Sequence, residues 1–311
     1  MKLASLRTSL PDGQLAVVSR DEAHFVTAEA IAPHLLDALD RWETTCPRLL
    51  RLYHRLNTAN VPGVRAYDPS FSTHGKLMQT AFHLPPIETD RPLMYQGMSH
   101  RFLGAKDDGP FPSEGDGVDF EGELGVLTDS VPMGVSADMA LAHVRLMVLI
   151  NDWSLRVIAP EEMKTGFGWI QAKPACSMGP IAITLDEMGT AWSNGRLDAK
   201  LRVELNDELF GCVPSTEMEF GFHELAAHAA RTRELCAGTI IGSGTLSSSD
   251  YKNTGSCCIS ERRAIEILAQ GRAATPFLKF GDRLRMSATV GRDSRPSFGE
   301  INQRVVAAFE P

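Results

Sequence analysis

From residue 119 to residue 126 the chain reads Asp-Phe-Glu-Gly-Glu-Leu-Gly-Val, a pattern that only a narrow set of folds can hold. In a strand, successive side chains point to opposite faces. Asp119, Glu121 and Glu123 then share one face, while Phe120, Leu124 and Val126 take the other. Three carboxylates on one short face repel each other unless water, a cation or a basic group lies among them. A solvated edge strand is the plainest reading of that alternation by itself. A second segment argues for more. Leu146-Met147-Val148-Leu149-Ile150 is a dense apolar run that delivers Asn151-Asp152-Trp153-Ser154 straight out of a core. An acid at the mouth of a buried element, with two glutamates available elsewhere, suits a hard divalent cation such as Mg²⁺, Mn²⁺ or Ca²⁺.

Charge and composition narrow the partners. A formal charge of −8 and a pI near 5.6, with no basic stripe interleaved with aromatics, exclude a nucleic-acid binder. The longest apolar run, near Met147, is about a third of the ~20 residues a bilayer requires. The start of the chain, Met1-Lys2-Leu3-Ala4-Ser5-Leu6-Arg7, lacks the apolar centre of a secretory signal. Cys46, Cys176, Cys212, Cys236, Cys257 and Cys258 form no C-x-x-C and have no histidines at zinc spacing. They read as reduced, small apolar fillers in a cytoplasmic protein.

With 311 residues, 43% of them apolar, the chain can bury a real core. Leu3–Leu6 and Leu15–Val18 flank Pro11-Asp12-Gly13 as a hairpin. Helical spacing runs from Leu35 to Leu56, with Pro47 expected to break it in two. A Pro/Thr/Ser/Asn-rich stretch from Asn57 to Pro92 suggests a boundary. It divides a small N-terminal α+β domain, residues 1–85, from a β-rich domain, residues 86–311. Ser136 is placed to cap a helix from Ala137 to Leu149. A second hairpin is expected at Leu201–Val213, a helix at Phe222–Leu235, a buried strand at Gly238–Thr245, and further strands at Phe277–Asp282 and Leu284–Val290. His223 and His228, five apart on a helix, face different ways and make poor joint ligands.

The order of these motifs resembles the fumarylacetoacetate hydrolase family. The likeness is carried by Asp119-Phe120-Glu121-Gly122-Glu123-Leu124-Gly125-Val126, Asn151-Asp152-Trp153-Ser154-Leu155-Arg156, Ala172-Lys173-Pro174, Gly242-Ser243-Gly244-Thr245 and Phe280-Gly281-Asp282. It covers roughly Pro92 to Val306, and Tyr95-Gln96-Gly97 resembles a bacterial branch with an N-terminal accessory domain. The resemblance implies an α+β, β-rich fold: a mixed β-roll or sandwich carrying the site, with the small N-terminal α+β domain beside it. It implies a homodimer with one divalent cation per subunit, Mg²⁺ first, held by Glu121, Glu123 and Asp152. Lys173 would sit beside the ion, facing substrate oxygens. Tyr95, Ser177 and Thr245 would contact the substrate, and Glu261 would orient the catalytic base or water. Related sequences carry an aspartate and, seven residues later, a histidine acting as general base, upstream of the element matching Tyr95. No such pair occurs between Asp68 and Leu93; His74, His83 and His100 are the stand-ins.

The activity implied is metal-dependent hydrolysis of a carbon–carbon bond in an acylpyruvate or related 1,3-dicarbonyl acid, with a small 2-oxo acid as substrate. A lyase of the same fold, either a 2-oxo diacid decarboxylase or a 2-oxo-enoate hydratase, uses the same cation and enolate with less need of a base on water. A binder that has lost catalysis ranks third.

Overall fold

The computed structural model describes residues 1–59, 61–71, 80–82, 92–98, 101–292 and 297–309. The apolar run that leads to Asp152 is a strand, Val144–Asn151, buried on both faces. Met147 and Leu149 enter one core with Leu124, Val126, Leu201 and Val203. Leu146, Val148 and Ile150 enter another with Leu3, Val17, Leu39 and Leu49. Only a period of two satisfies both cores, so the expected helix from Ala137 to Leu149 does not form. Ser136 does cap, its Oγ accepting from the Met139 N–H at 3.4 Å. The helix stops at Ala140, a single 3-10 turn follows to His143, and the strand begins. Each such fully buried aliphatic side chain stabilises the fold by about 1.5–3 kcal/mol.

This strand pairs antiparallel with Gly122–Thr128 on one side and with Ala182–Thr184 on the other. Beyond Gly122–Thr128 the sheet continues through Ile240–Gly242 and Thr80–Phe82 to Leu93–Tyr95. Beyond Ala182–Thr184 it takes in Lys2–Leu6, Gln14–Val18, His24–Thr27 and Arg65–Ala66. The N-terminal hairpin forms as expected, with Leu3 opposite Val17. It extends the sheet that carries the acids, Lys2 lying opposite Ile183. Helices Leu35–Asp40 and Trp42–Thr58 cover one face of that sheet, burying Leu35, Leu39, Trp42, Leu49 and Tyr53. The break between them falls at Arg41, and the second helix runs on through Pro47. Burial of Trp42, Leu49 and Tyr53 along it offsets the hydrogen bond that the proline cannot make.

The opposite face packs on a five-stranded sheet, ordered Glu208–Pro214, Ala199–Leu205, Arg283–Val290, Glu300–Ala307 and Gly109–Phe111. Its first two strands are the expected hairpin. Leu205 lies opposite Glu208 across Asn206 and Asp207, both at positive φ as a two-residue turn of this hand requires. Three expectations shorten, the strand expected at Gly238–Thr245 spanning only Ile240–Gly242. The helix at Phe222 ends at Ala229. Phe277–Asp282 contributes only an isolated bridge, Leu278 to Val118, before a turn at Gly281.

Gly211, on the edge of this second sheet, bridges Gly255 at closest approach. A Cβ on Gly211 would stand 2.2 Å from the Ser256 carbonyl oxygen and 2.8 Å from its nitrogen. Neither is the movable end of a side chain. The Ser256-Cys257-Cys258 segment so pressed leads into the Ile259–Gln270 helix. Gly211→Ala is therefore expected to destabilise the fold by about 1–3 kcal/mol, read as a lower denaturant midpoint at unchanged slope.

Candidate active site

Strand register brings the two acidic segments together. Glu123 lies opposite Ile150 and Gly122 opposite Asn151, after which the ladder opens and re-forms with Ser154 opposite Asp119. Across the gap the Asp152 N–H donates to the Glu121 carbonyl at 3.0 Å, and the Glu121 N–H donates to the Asn151 side-chain oxygen at 3.1 Å. Glu121 and Asp152 thus project from the opening with Glu123 at its edge. Carboxylate oxygens of the three lie within 4.8 Å of one another, and all three side chains are buried.

Asp119 is buried as well but belongs to a different contact. Its carboxylate accepts from Arg156 Nε at 2.8 Å and from the Ile259 and Ser260 N–H groups at 2.8 and 2.9 Å. Those two N–H groups open the Ile259–Gln270 helix, whose dipole favours an anion there. Arg156 also reaches Glu121 Oε1 at 2.7 Å, so one guanidinium spans two of the acids. Lys173 completes the basic side. Its ammonium donates to Glu121 at 2.9 Å, Asp152 at 2.8 Å and Ser154 Oγ at 2.6 Å. Asp152 is held further by the Tyr95 hydroxyl at 2.5 Å and the Cys176 thiol at 3.0 Å.

Protonation follows from these neighbours. Burial alone would raise Glu121, but the charges of Lys173 and Arg156 bring it down to about 2. Burial, then the charges of Asp152 and Glu121, push Glu123 well above the usual carboxylate range. Burial would lower Lys173, yet Asp152 and Glu121 outweigh it and keep the amine protonated above its ordinary range. Tyr95 is raised by burial and by Asp152.

The residues present fit a divalent cation. Both oxygens of Glu123 are buried without a hydrogen-bond partner; the Gly244 backbone favours the ionised form slightly but is out of hydrogen-bonding geometry. Among the described residues four buried carboxyl groups, Asp119, Glu121, Glu123 and Asp152, face two cationic side chains, Arg156 and Lys173, a surplus of two acids over bases that keeps the Glu123 carboxyl protonated while no cation is bound. An all-oxygen set with that surplus is the chemistry of a hard dication.

Of the other expected residues, Ser177 is buried opposite Asn151, its Oγ accepting from Trp153 Nε1 at 2.8 Å. Thr245 lies in the turn after Ile240–Gly242. Its neighbours Ser243 and Leu246 donate backbone N–H groups to Leu124 and Gly122 of the acidic strand. Glu261 stands apart: the groups acting on it are Ser256, the Cys257 backbone and Arg262 rather than the three acids. His74, His83 and His100 lie outside the described residues. Among the described residues Ser154, Arg156, Trp169 and Cys176 also border the cluster and had no assigned role. Alternation carried past Asp152 would have found two of them, since Asp152, Ser154 and Arg156 share one side of an extended segment.

A family model described as fumarylacetoacetate (FAA) hydrolase C-terminal matches residues 66–306, and one described as fumarylacetoacetase N-terminal domain 2 matches residues 1–73. The chain belongs to the fumarylacetoacetate hydrolase family. One relative is a 2,4-didehydro-3-deoxy-L-rhamnonate hydrolase of Sphingomonas sp. (strain SKA58), 28% identical over 51% of this chain and 54% of that protein. Another is a mitochondrial oxaloacetate tautomerase of Bos taurus, 26% identical over 50% of this chain and 48% of that protein. The chain thus spans about half the length of the curated relatives it matches. Among solved structures, maleylpyruvate hydrolase from Sphingobium sp. SYK-6 superposes with a TM-score of 0.64 at 17% identity, covering 99% of this chain and 100% of that one. A 2-hydroxyhepta-2,4-diene-1,7-dioate isomerase from Mycobacterium marinum gives 0.59 at 17% identity, covering all of both chains. These likenesses establish the family's β-rich fold with its N-terminal accessory region, in a family of enzymes. Among the described residues no helix is long and apolar enough to cross a membrane.

Burial, opposed by Ser256, the Cys257 backbone and Arg262, pushes Glu261 up from 4.5 to about 7. A carboxyl raised on folding binds its proton more tightly when native. Its contribution is present below the unfolded value and is lost as pH rises through the folded one. Melting temperature is expected to fall between about pH 4.5 and 7, and Glu261→Gln to flatten that window. An unchanged slope in the variant would show that Glu261 does not titrate there.

Proposed function

We propose that this protein is a metal-dependent hydrolase that cleaves a carbon–carbon bond in an acylpyruvate or related 1,3-dicarbonyl acid. The observation that carries the reading is Glu123. Its carboxyl group has both oxygens buried and unbonded, in a cluster that holds two more acids than bases among the described residues. Glu121, Glu123 and Asp152 are the proposed ligands of the cation, with Mg²⁺ the first choice. A divalent cation held by these three carboxylates would supply Lewis-acid charge to the oxygens of a 2-oxo acid.

The chain's own residues supply the rest. Lys173, protonated and wedged between Glu121 and Asp152, puts positive charge beside the oxygens on which negative charge grows, worth about 2.7–4 kcal/mol if it acts as an oxyanion donor. Tyr95, kept protonated by burial and by Asp152, holds a proton at the mouth of the cluster. Ser177 and Thr245 are assigned to substrate contact. Water adds to the acyl carbonyl, the carbon–carbon bond breaks, and the electron pair leaves on the pyruvate fragment, which is then protonated. Glu261, poised near neutrality, is assigned to orient that water or its base.

One observation favours a second reading. Lys173, Tyr95 and Cys176, which all donate to Asp152, are all raised, so they are donors and not bases at neutral pH. Donors suffice for a lyase such as a 2-oxo diacid decarboxylase, which protonates an enolate without activating water.

Glu123→Ala is expected to abolish the rise in melting temperature that Mg²⁺ gives the native protein, worth about 2.7 kcal/mol at a hundredfold excess over Kd. A retained Mg²⁺ shift would remove Glu123 from the ligand set.

Incubation with acylpyruvates and with oxaloacetate, following enol absorbance and carbon dioxide, tests the reaction. Loss of acylpyruvate alone is expected. Carbon dioxide from oxaloacetate would establish the lyase, and enol loss from oxaloacetate without it a tautomerase. Lys173→Met should lower kcat about 10²–10³-fold while the Mg²⁺ shift persists.

A further inference from the structure

Lys173 is roofed by aromatic side chains. Its ammonium lies 5.2 Å from the Tyr95 ring centre and 5.9 Å from that of Trp169, and the two rings meet edge to face at 5.1 Å. Trp169 reaches this position from a loop that is otherwise exposed. Phe167 and Ile170 on either side of it are 98% and 82% exposed, whereas the indole is half-buried. The loop leaves the Ala159–Thr165 helix through Gly166 and turns again at Gly168, both at positive φ. Its far end is stapled. The Glu162 carboxylate accepts the N–H groups of Ile170, Gln171 and Ala172 at 2.9–3.2 Å, fixing the backbone just before Lys173. A mobile-looking sequence is thereby held so that one large ring overhangs the amine.

This roof has a consequence for whatever binds by its oxygens at Lys173. The remainder of that molecule meets two aromatic rings beside the acids. A planar, apolar group gains ring contact there, while a methyl group is too small to span it. We propose that the Trp169 indole is the wall against which the substrate's acyl substituent rests, and that it selects planar apolar acyl groups over small ones. The inference rests on the acylpyruvate reading above.

The test compares kcat/KM for benzoylpyruvate and acetylpyruvate, with Mg²⁺, in the native protein, Trp169→Phe and Trp169→Ala. The native protein is expected to prefer the aryl substrate. Trp169→Ala should lower the aryl-to-methyl ratio about tenfold, and Trp169→Phe should keep most of it. Should Trp169→Ala fail to fold, Trp169→Leu, which retains apolar bulk without an indole, carries the same comparison. An unchanged ratio, or equal losses on both substrates, overturns the proposal, because a ring that merely steadies Lys173 affects both alike. If the native protein cleaves neither compound, the acylpyruvate reading fails by itself. The wall is then judged by the ratio of dissociation constants for the same two compounds: a tenfold fall in Trp169→Ala supports it and no change refutes it.

Discussion

A surplus of buried acids over bases is the constraint on which the rest of this molecule depends. Four carboxylates share a water-poor interior, and the fold can hold them only by distributing them among specific partners. Asp119 is discharged onto Arg156 and a helix N-terminus, Glu121 onto Arg156 and Lys173, and Asp152 onto Lys173, Tyr95 and Cys176. Among the described residues Glu123 alone of the four has no comparable support. The network looks less like a stabilising device than like a socket, since replacing buried ion pairs with apolar packing is often neutral or better for stability.

The two sheets and the helices serve to position that socket. The central strand contributes alternate side chains to two separate cores, which pins its register, and a slip of one residue would exchange them. Register in turn sets Glu123 opposite Ile150 and lets the ladder open where Glu121 and Asp152 emerge. The Ile259–Gln270 helix is joined to the same place through Asp119, and the second sheet presses on the segment that feeds it. Packing far from the acids therefore bears on their spacing.

Much of the site was legible in the sequence because its acids lie in two short segments that become antiparallel neighbours. Alternation is a strong signal when one face is charged, and the acid-rich segment carries it. The run Leu146–Ile150 carries none. Buried on both sides, it shows no period, and the genuine cap at Ser136 made a helix look natural. Pro47 misled for a related reason, because tertiary burial can outweigh one missing hydrogen bond. Cys176 could not have been found locally. It touches Asp152 only because Ser177, next to it, pairs with Asn151 on another strand.

The sheet also orders events in time. Lys2–Leu6 takes its inner neighbour from Ala182–Thr184, some 180 residues further along the chain. Until that distant strand is synthesised, the amino-terminal hairpin presents an unpaired flank, and the segment that ends in Lys173 emerges at nearly the same moment. Nascent chains with such long-range pairings fold late and expose sticky edges while they wait. The hairpin's flank is thus covered only once the acids, Lys173 and Ala182–Thr184 have all been made, and the sheet waits longer still for Ile240–Gly242 on its other side.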